Sequence, residues 1–277
     1  MEPFQFLQAS SSLLTLTEWE KCFPNLVAGF TTRMGGQSQH PFGTFNCALH
    51  VGDDYEHVIA NRQLLCDQVA FEFDKWTSAE QVHGNRVAII TGKETGKGRE
   101  NQDDTVPDVD GLLTNQKGVL LTSFYADCVP IWFIAPSQQV IGIAHAGWRG
   151  TASNISQEML DALINKFQVK LDQIQVAIGP SIGGCCYEVS QPVVDAIKNS
   201  LIEKQEDAFI QSVQNEKYLI DLKEANRLLL LQAGLREDQI YCSKWCTSCR
   251  TDLFYSYRKD GGKTGRMTAY IGWREEE

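Results

Sequence analysis

Nowhere in this 277-residue chain do about eighteen apolar residues run together, so no transmembrane helix is expected. Its first eight residues, Met1 to Gln8, carry neither a basic start nor a long apolar segment. No secretion signal is therefore expected there, and the expected location is cytoplasmic. Excess positive charge is also lacking: 25 basic residues face 35 acidic ones, a formal charge of −10. That balance argues against nucleic acid or an anionic membrane as partner through the overall field, while leaving room for a local basic pocket that holds phosphate. Internal repeats and low-complexity tracts are absent. The nine cysteines are odd in number and irregularly spaced, which in a chain of this size reads as reduced thiols or ligands and not as a disulfide framework.

Two stretches stand out among the residues present. Ala126-Asp127-Cys128 and His145-Ala146-Gly147-Trp148-Arg149-Gly150-Thr151 each lie at the edge of a strongly apolar run, 118–133 and 139–146, and such runs read as buried strands. A thiol and an imidazole thus emerge near the core, and Ile155, Met159, Leu163 and Phe167 then trace one face of a helix. If that helix starts in the glycine-rich turn, its free N–H groups near Gly147 make a phosphate-sized anion site beside His145. The alternative is an ordinary strand-to-helix turn, with Trp148 packed and Arg149 in solvent.

Elsewhere the chain reads as scaffold with scattered candidates. A strand within 22–30 leads into Thr31-Thr32-Arg33-Met34-Gly35-Gly36, where Arg33 offers donors to phosphate or carboxylate. Val58, Ile59, Arg62, Leu65 and Val69 recur at helical spacing after Asp53 and Asp54, either of which suits the cap. His50 and His57 read as structural. His83 stands at the entrance to the β-branched run 87–91, and Asp110 is either a turn former or a site carboxylate. Residues 92–108 lack apolar periodicity and read as a mobile loop, a solvated connection or a lid. Pro192 opens a helix, and Asp221 with Glu224 resembles a capping box before a helix that Gly234 ends. Alternating short strands and helices continue throughout, and one α/β domain over 1–277 is the simplest organisation.

Three constellations carry chemistry. Cys242, Cys246 and Cys249 form the C-x3-C-x2-C spacing by which radical S-adenosylmethionine enzymes hold an iron–sulfur cluster. In those enzymes the motif comes early, whereas only 28 residues follow Cys249 here. Cys128 with His145 reads as a nucleophile and its base. His83, Cys128 and His145 together read as three zinc ligands that leave a fourth position open. Spacing alone does not decide between nucleophile and ligand.

Motifs spread over nearly the whole chain, in order, resemble the YlmD/YfiH family, historically labelled polyphenol oxidase or laccase-like. They are Thr32-Arg33-x-Gly35-Gly36-x-Ser38, Asn46 to Asp54, Gln81-Val82-His83-Gly84, Asp108-Val109-Asp110-Gly111, Ala126-Asp127-Cys128 and His145 to Thr151, followed by Gly179-Pro180-x-Ile182, Cys186-Tyr187-Glu188-Val189 and Tyr255 to Arg266. The resemblance implies a single-domain α-β-β-α sandwich with mixed sheets flanked by helices, shared distantly with the catalytic domain of cytotoxic necrotising factor. It implies a purine nucleoside enzyme, both transferase and hydrolase: phosphorolysis of adenosine, inosine and S-methyl-5′-thioadenosine, and deamination of adenosine. Purine nucleosides and inorganic phosphate are then the partners, and a monomer or small homo-oligomer is expected.

Zinc ligation carries over onto His83, Cys128 and His145, with copper the lesser candidate. Arg33, Asn46, Gly147 and Arg149 are the expected substrate or phosphate contacts, and Asp127 or Asp110 the expected proton carriers. Multicopper oxidation needs roughly ten histidine and cysteine ligands over several coppers, and five histidines are present. Cytidine-type zinc deaminases place a Glu beside the ligand His, whereas Ala144 and Ala146 flank His145, and Val82 and Gly84 flank His83. The remaining alternative is a peptidoglycan-precursor amide hydrolase using the same pocket.

Overall fold

A computed structural model describes residues 2–7, 10–202 and 206–275. Strand Val129–Ala135 shows how the layers arise. Successive side chains on a strand point to opposite faces, so Trp132 and Ile134 enter a central apolar layer while Val129, Ile131, Phe133 and Ala135 enter an outer one. Leu112 and Leu113 divide in the same way on a neighbouring strand. On the opposing sheet Leu121 faces the centre and Leu120 the other outer layer.

Two six-stranded mixed sheets result. The first runs in the order Phe4–Phe6, Leu13–Leu16, Leu26–Thr31, Met267–Trp273, Leu120–Tyr125 and Trp76–Ser78, antiparallel except for its last pair. The second runs Ile240–Cys242, Gln175–Ile178, Val129–Ala135, Val140–Ala146, Gly111–Thr114 and Val87–Ile89, with parallel pairs only at its two edges. Helix Tyr55–Val69 covers the outer face of the first sheet through Leu65, Cys66 and Val69. Helices Ile155–Phe167, Gln191–Lys198 and Leu222–Gln232 cover the second. The order is helix, sheet, sheet, helix, the mixed α/β sandwich expected. Among the described residues no helix is long and apolar enough to cross a membrane.

Helix ends follow the local chemistry. The Asp54 carboxylate accepts from the backbone N–H of Glu56 and His57 at 2.9 and 3.3 Å, and Asp221 accepts from Lys223 and Glu224 at 2.9 and 3.2 Å. The Glu224 side chain turns to Arg227 instead of reaching back, so the box is not reciprocal.

Three expectations are corrected. The apolar run 118–133 is two strands in different sheets, divided at Ala126-Asp127-Cys128. The helix with the Ile155 face starts at Ile155, because Asn154 takes a left-handed conformation (φ 56°) and caps it, accepting from the N–H of Gln157 at 3.2 Å. The glycine-rich turn opens only a five-residue helix, Trp148–Ala152, so the long helix contributes no N–H groups there. Residues 92–108 are also pinned: the fully buried Arg62 guanidinium donates to the carbonyls of Gly98 and Arg99, both at 2.6 Å, and Gly96 N–H donates to Thr77 Oγ1 at 3.1 Å.

Trp132 joins the two sheets, donating its indole N–H to the carbonyl of Tyr270 at 3.0 Å from a fully buried position. Trp132→Ala is expected to destabilise the protein by about 3–5 kcal/mol. Urea denaturation should show a lowered midpoint with an unchanged slope, and a loss below about 1 kcal/mol would contradict this assignment of the central layer.

Candidate active site

The crossover between sheets sets the site. Strand Leu120–Tyr125 ends in the first sheet, Val129 begins the second, and Cys128 stands between them. Asp127 takes φ of 87°, an unfavourable conformation for a non-glycine residue, and several contacts hold it. Its carboxylate accepts from Thr247 Oγ1 and from the N–H of Arg258, both at 2.7 Å, and its carbonyl accepts from Ile182 N–H at 3.0 Å. His145 lies opposite Pro130 in the antiparallel register of Val129–Ala135 with Val140–Ala146, which brings its ring beside Cys128. His83 precedes Val87–Ile89, and that strand runs parallel to Gly111–Thr114 just after Asp110.

One carboxylate positions both histidines. Asp110, 2% exposed, accepts from the backbone N–H groups of Val82, His83 and Gly84 at 3.2, 3.0 and 2.7 Å, and bonds to His145 Nδ1 at 2.8 Å. The bond at Nδ1 fixes the ring and leaves Nε2 for the site. The rings of His83 and His145 meet edge to face, 4.8 Å between centroids. One ligand atom from each of His83, Cys128 and His145 lies within 4.8 Å of the others. Gly147 closes the back of this triangle: a Cβ there would stand 3.0 Å from His83 Cδ2 and 3.2 Å from Cys128 Sγ. The arrangement suits either one metal ion or a Cys–His pair.

Electrostatics follow from this crowding. Burial raises the Cys128 thiol, but the charge of His145 and hydrogen bonds from His145 and His83 outweigh it and bring the thiol down to about 6. Burial lowers His145, yet the Cys128 charge and the bonds to Asp110 and Cys128 lift it to about 9. Asp110 is raised by burial and lowered further by its His145 and backbone partners, a net fall. Without metal, both shifts favour a thiolate–imidazolium pair.

The flanking residues divide. Asn46 is fully buried and committed to its own loop: it donates to Ala48 O and Asp53 Oδ2 at 3.2 and 2.9 Å and accepts from the N–H of Ala48 and Arg266 at 3.1 and 3.0 Å. Arg33 donates to the carbonyls of Gly43 and Thr251 at 3.3 and 3.0 Å and stacks 4.8 Å over Tyr255. Arg149 is exposed and stacks 4.4 Å over Trp148.

Sequence reasoning passed over two residues near the triad. Burial lowers the Arg266 guanidinium, and the charges of Cys128, Tyr257 and Asp127 support it. Burial raises the Tyr187 phenol, which also feels Cys128, Arg258, Asp127 and Arg149. No local signal beyond membership of a motif marks either residue. His50, read as structural, is pushed down to about 4 by burial and by Arg266 and Arg62, and is therefore neutral.

In metal-free protein, the proton NMR titration of His145 should give an apparent pKa near 9, and Asp110→Asn should lower it. By linkage the two shifts bound a window: His145, raised from 6.5 to about 9, contributes stability that is lost as pH rises through 9, and Cys128, lowered from 9 to about 6, contributes stability that is lost as pH falls through 6. A His145 titration at an ordinary histidine value would contradict the pair.

A family model described as multi-copper polyphenol oxidoreductase laccase matches residues 27–274. A purine nucleoside phosphorylase YlmD of Geobacillus stearothermophilus is 46% identical over 262 residues, 93% of this chain and 95% of that one. Its Bacillus subtilis counterpart is 39% identical over 273 residues, 98% of both chains. The crystal structure of YlmD from Geobacillus stearothermophilus superposes with a TM-score of 0.94 at 44% identity, covering 99% of this chain and all of that one. The YfiH structure from Bacillus licheniformis gives 0.94 at 40% identity, with 99% and 100% coverage. With matches that span nearly the whole chain and a shared fold, the chain belongs to the YlmD/YfiH family of laccase-like proteins.

Proposed function

We propose that this chain is a zinc-dependent purine nucleoside phosphorylase working as a single domain over 1–277. The observation that carries the reading is the convergence of His83, Cys128 and His145 on one point, in a chain whose relatives bear the name purine nucleoside phosphorylase. Two imidazoles and a low-pKa thiolate fit zinc and leave a position open. Bound there, zinc would supply Lewis acidity toward an oxygen or nitrogen of the substrate. Copper is the lesser fit, since one thiolate and two imidazoles build a single centre and not several.

The chain's own groups supply the rest. Asp110 holds His145 and the His83 backbone in place. Asp127 fixes the turn before Cys128 through its two short hydrogen bonds from Thr247 and Arg258. Arg149, with Arg258 and Arg266 beyond the sequence-based set, surrounds Tyr187 and Cys128 with positive charge, which suits an attacking phosphate at the anomeric carbon of the nucleoside. Gly147 keeps the back of the site thin. Arg33 and Asn46 contribute by holding the loops that frame it. We include adenosine, inosine and S-methyl-5′-thioadenosine as substrates, adenosine deamination as a second reaction of the same pocket, and a cytoplasmic location.

A second reading has its own support. Cys128, His145 and Asp110 are linked in the order nucleophile, base and orienting carboxylate, as an amide hydrolase would need. The presence of His83 at the same point favours the metal reading.

Incubated with adenosine or inosine and phosphate, the metal-loaded protein should release free base and ribose 1-phosphate. Chelation should stop the reaction and zinc should restore it. Cys128→Ala should lower kcat/KM by more than the roughly 10–100-fold that loss of a metal's outer partner costs. Activity that survives both complete chelation and His83→Ala, but not Cys128→Ala, would support the nucleophile reading instead. Absence of base release with metal present would reject phosphorolysis. Gly147→Ala, whose methyl group would press on Cys128 and His83, should weaken zinc affinity at least about tenfold with the fold retained by circular dichroism.

A further inference from the structure

Away from the triad, four thiols from two distant parts of the chain converge. Cys185 and Cys186 lie in the loop after strand Gln175–Ile178, and Cys246 and Cys249 lie in the loop after Ile240–Cys242. Their four sulfurs lie within 4.8 Å of one another. Cys186 Sγ and Cys185 Sγ stand 3.4 and 3.6 Å from Cys249 Sγ. A disulfide needs about 2.05 Å, and all four cysteines are free. Four thiolates at about 2.3 Å around one zinc ion have edges of about 3.8 Å, close to these spacings. An iron–sulfur cubane interposes several atoms between its thiolates and needs them farther apart. Cys242, the first cysteine of the C-x3-C-x2-C spacing, is not in this group. It packs against the outer apolar layer of the second sheet, where burial pushes its thiol up to about 11.

We propose that Cys185, Cys186, Cys246 and Cys249 bind a second, structural zinc ion as a tetrathiolate site. The backbone is arranged for it. Gly183 donates its N–H to Cys246 Sγ at 3.2 Å, and the N–H of Cys249 points to the same sulfur, the donors that a ligating thiolate keeps.

The two loops tied by this ion are the ones that hold the Cys128 turn. Ser181 and Cys246 form a parallel bridge, and Thr247 N–H donates to Ser181 O at 3.0 Å. From these loops Ile182 N–H reaches the Asp127 carbonyl, while Thr247 Oγ1 and Arg258 N–H reach its carboxylate. The tetrathiolate ion is thus a fastening for the loops that keep Asp127 in its strained conformation beside the active-site thiol.

The test is metal counting on intact protein purified with a thiol reductant, by elemental mass spectrometry. Wild type should carry two zinc per chain. Cys185→Ser with Cys249→Ser should lose one and keep the other, and Cys128→Ala should show the converse loss. Should the double variant fail to fold, titration of wild type with an organomercurial beside a chromophoric zinc indicator should release one zinc as four thiols react. One zinc only, lost with Cys128→Ala, would overturn this site and leave the active-site reading standing. One zinc only, lost with the double variant, would support this site and count against that reading. Iron in the four-cysteine site, or a mass two hydrogens short from a disulfide among the four, would also overturn it.

Discussion

The candidate site depends on the Asp110 carboxylate, which gathers the donors that define it. Three successive backbone N–H groups from Val82, His83 and Gly84 and one ring nitrogen from His145 converge on two oxygens. A buried carboxylate is costly unless several donors satisfy it, and here that satisfaction joins the loop before Val87–Ile89 to strand Val140–Ala146. His83 adopts a left-handed conformation, φ 61°, that the same contact maintains. Both histidines are therefore placed by one interaction, and Cys128 meets them because the chain changes sheets at that point.

An acidic protein can still offer an anionic reactant such as the proposed phosphate a locally positive site. A formal charge of −10 spread over the surface is screened within about a Debye length. Arg149, Arg258 and Arg266 gather instead on the electrostatic neighbourhood of Tyr187 and Cys128. Local charge of this kind can outweigh the net balance in attracting an anion. The glycine-rich turn after His145 contributes steric room at Gly147, and its five-residue helix adds little of a helix dipole.

Much of the fold was legible because apolar runs and caps act locally. Strands around 129–135 and 140–146, the Asp54 and Asp221 caps and the Gly234 stop all follow from neighbouring residues. Non-local features were not legible. Asp127 interrupts the apolar run 118–133, but one polar residue does not say that the strands on its two sides belong to different sheets. The start of the long helix is not readable from sequence, because Asn154 sets it with a backbone angle that its residue type merely allows. The loop 92–108 reads as solvated in sequence because the group that pins it, Arg62, lies on a helix where a charge is expected to be exposed. His83 is a candidate by its ligand type alone, with the family resemblance needed to favour it, and Asp110 stands out through nothing beyond its type, since an Asp-Gly pair fits a turn equally well. The thiols at 185–186 and 246–249 are some sixty residues apart, so only the fold joins them.

The central claim is that His83, Cys128 and His145 share one metal ion, oriented by Asp110, at the place where phosphate meets the nucleoside. Anomalous diffraction from crystals of the protein, recorded on both sides of the zinc absorption edge, tests it most directly. The account predicts a zinc peak enclosed by Cys128 Sγ and one ring nitrogen each of His83 and His145, with Asp110 still on His145 Nδ1. A fully loaded protein with no anomalous peak there, or with His83 turned away from Cys128, would contradict it.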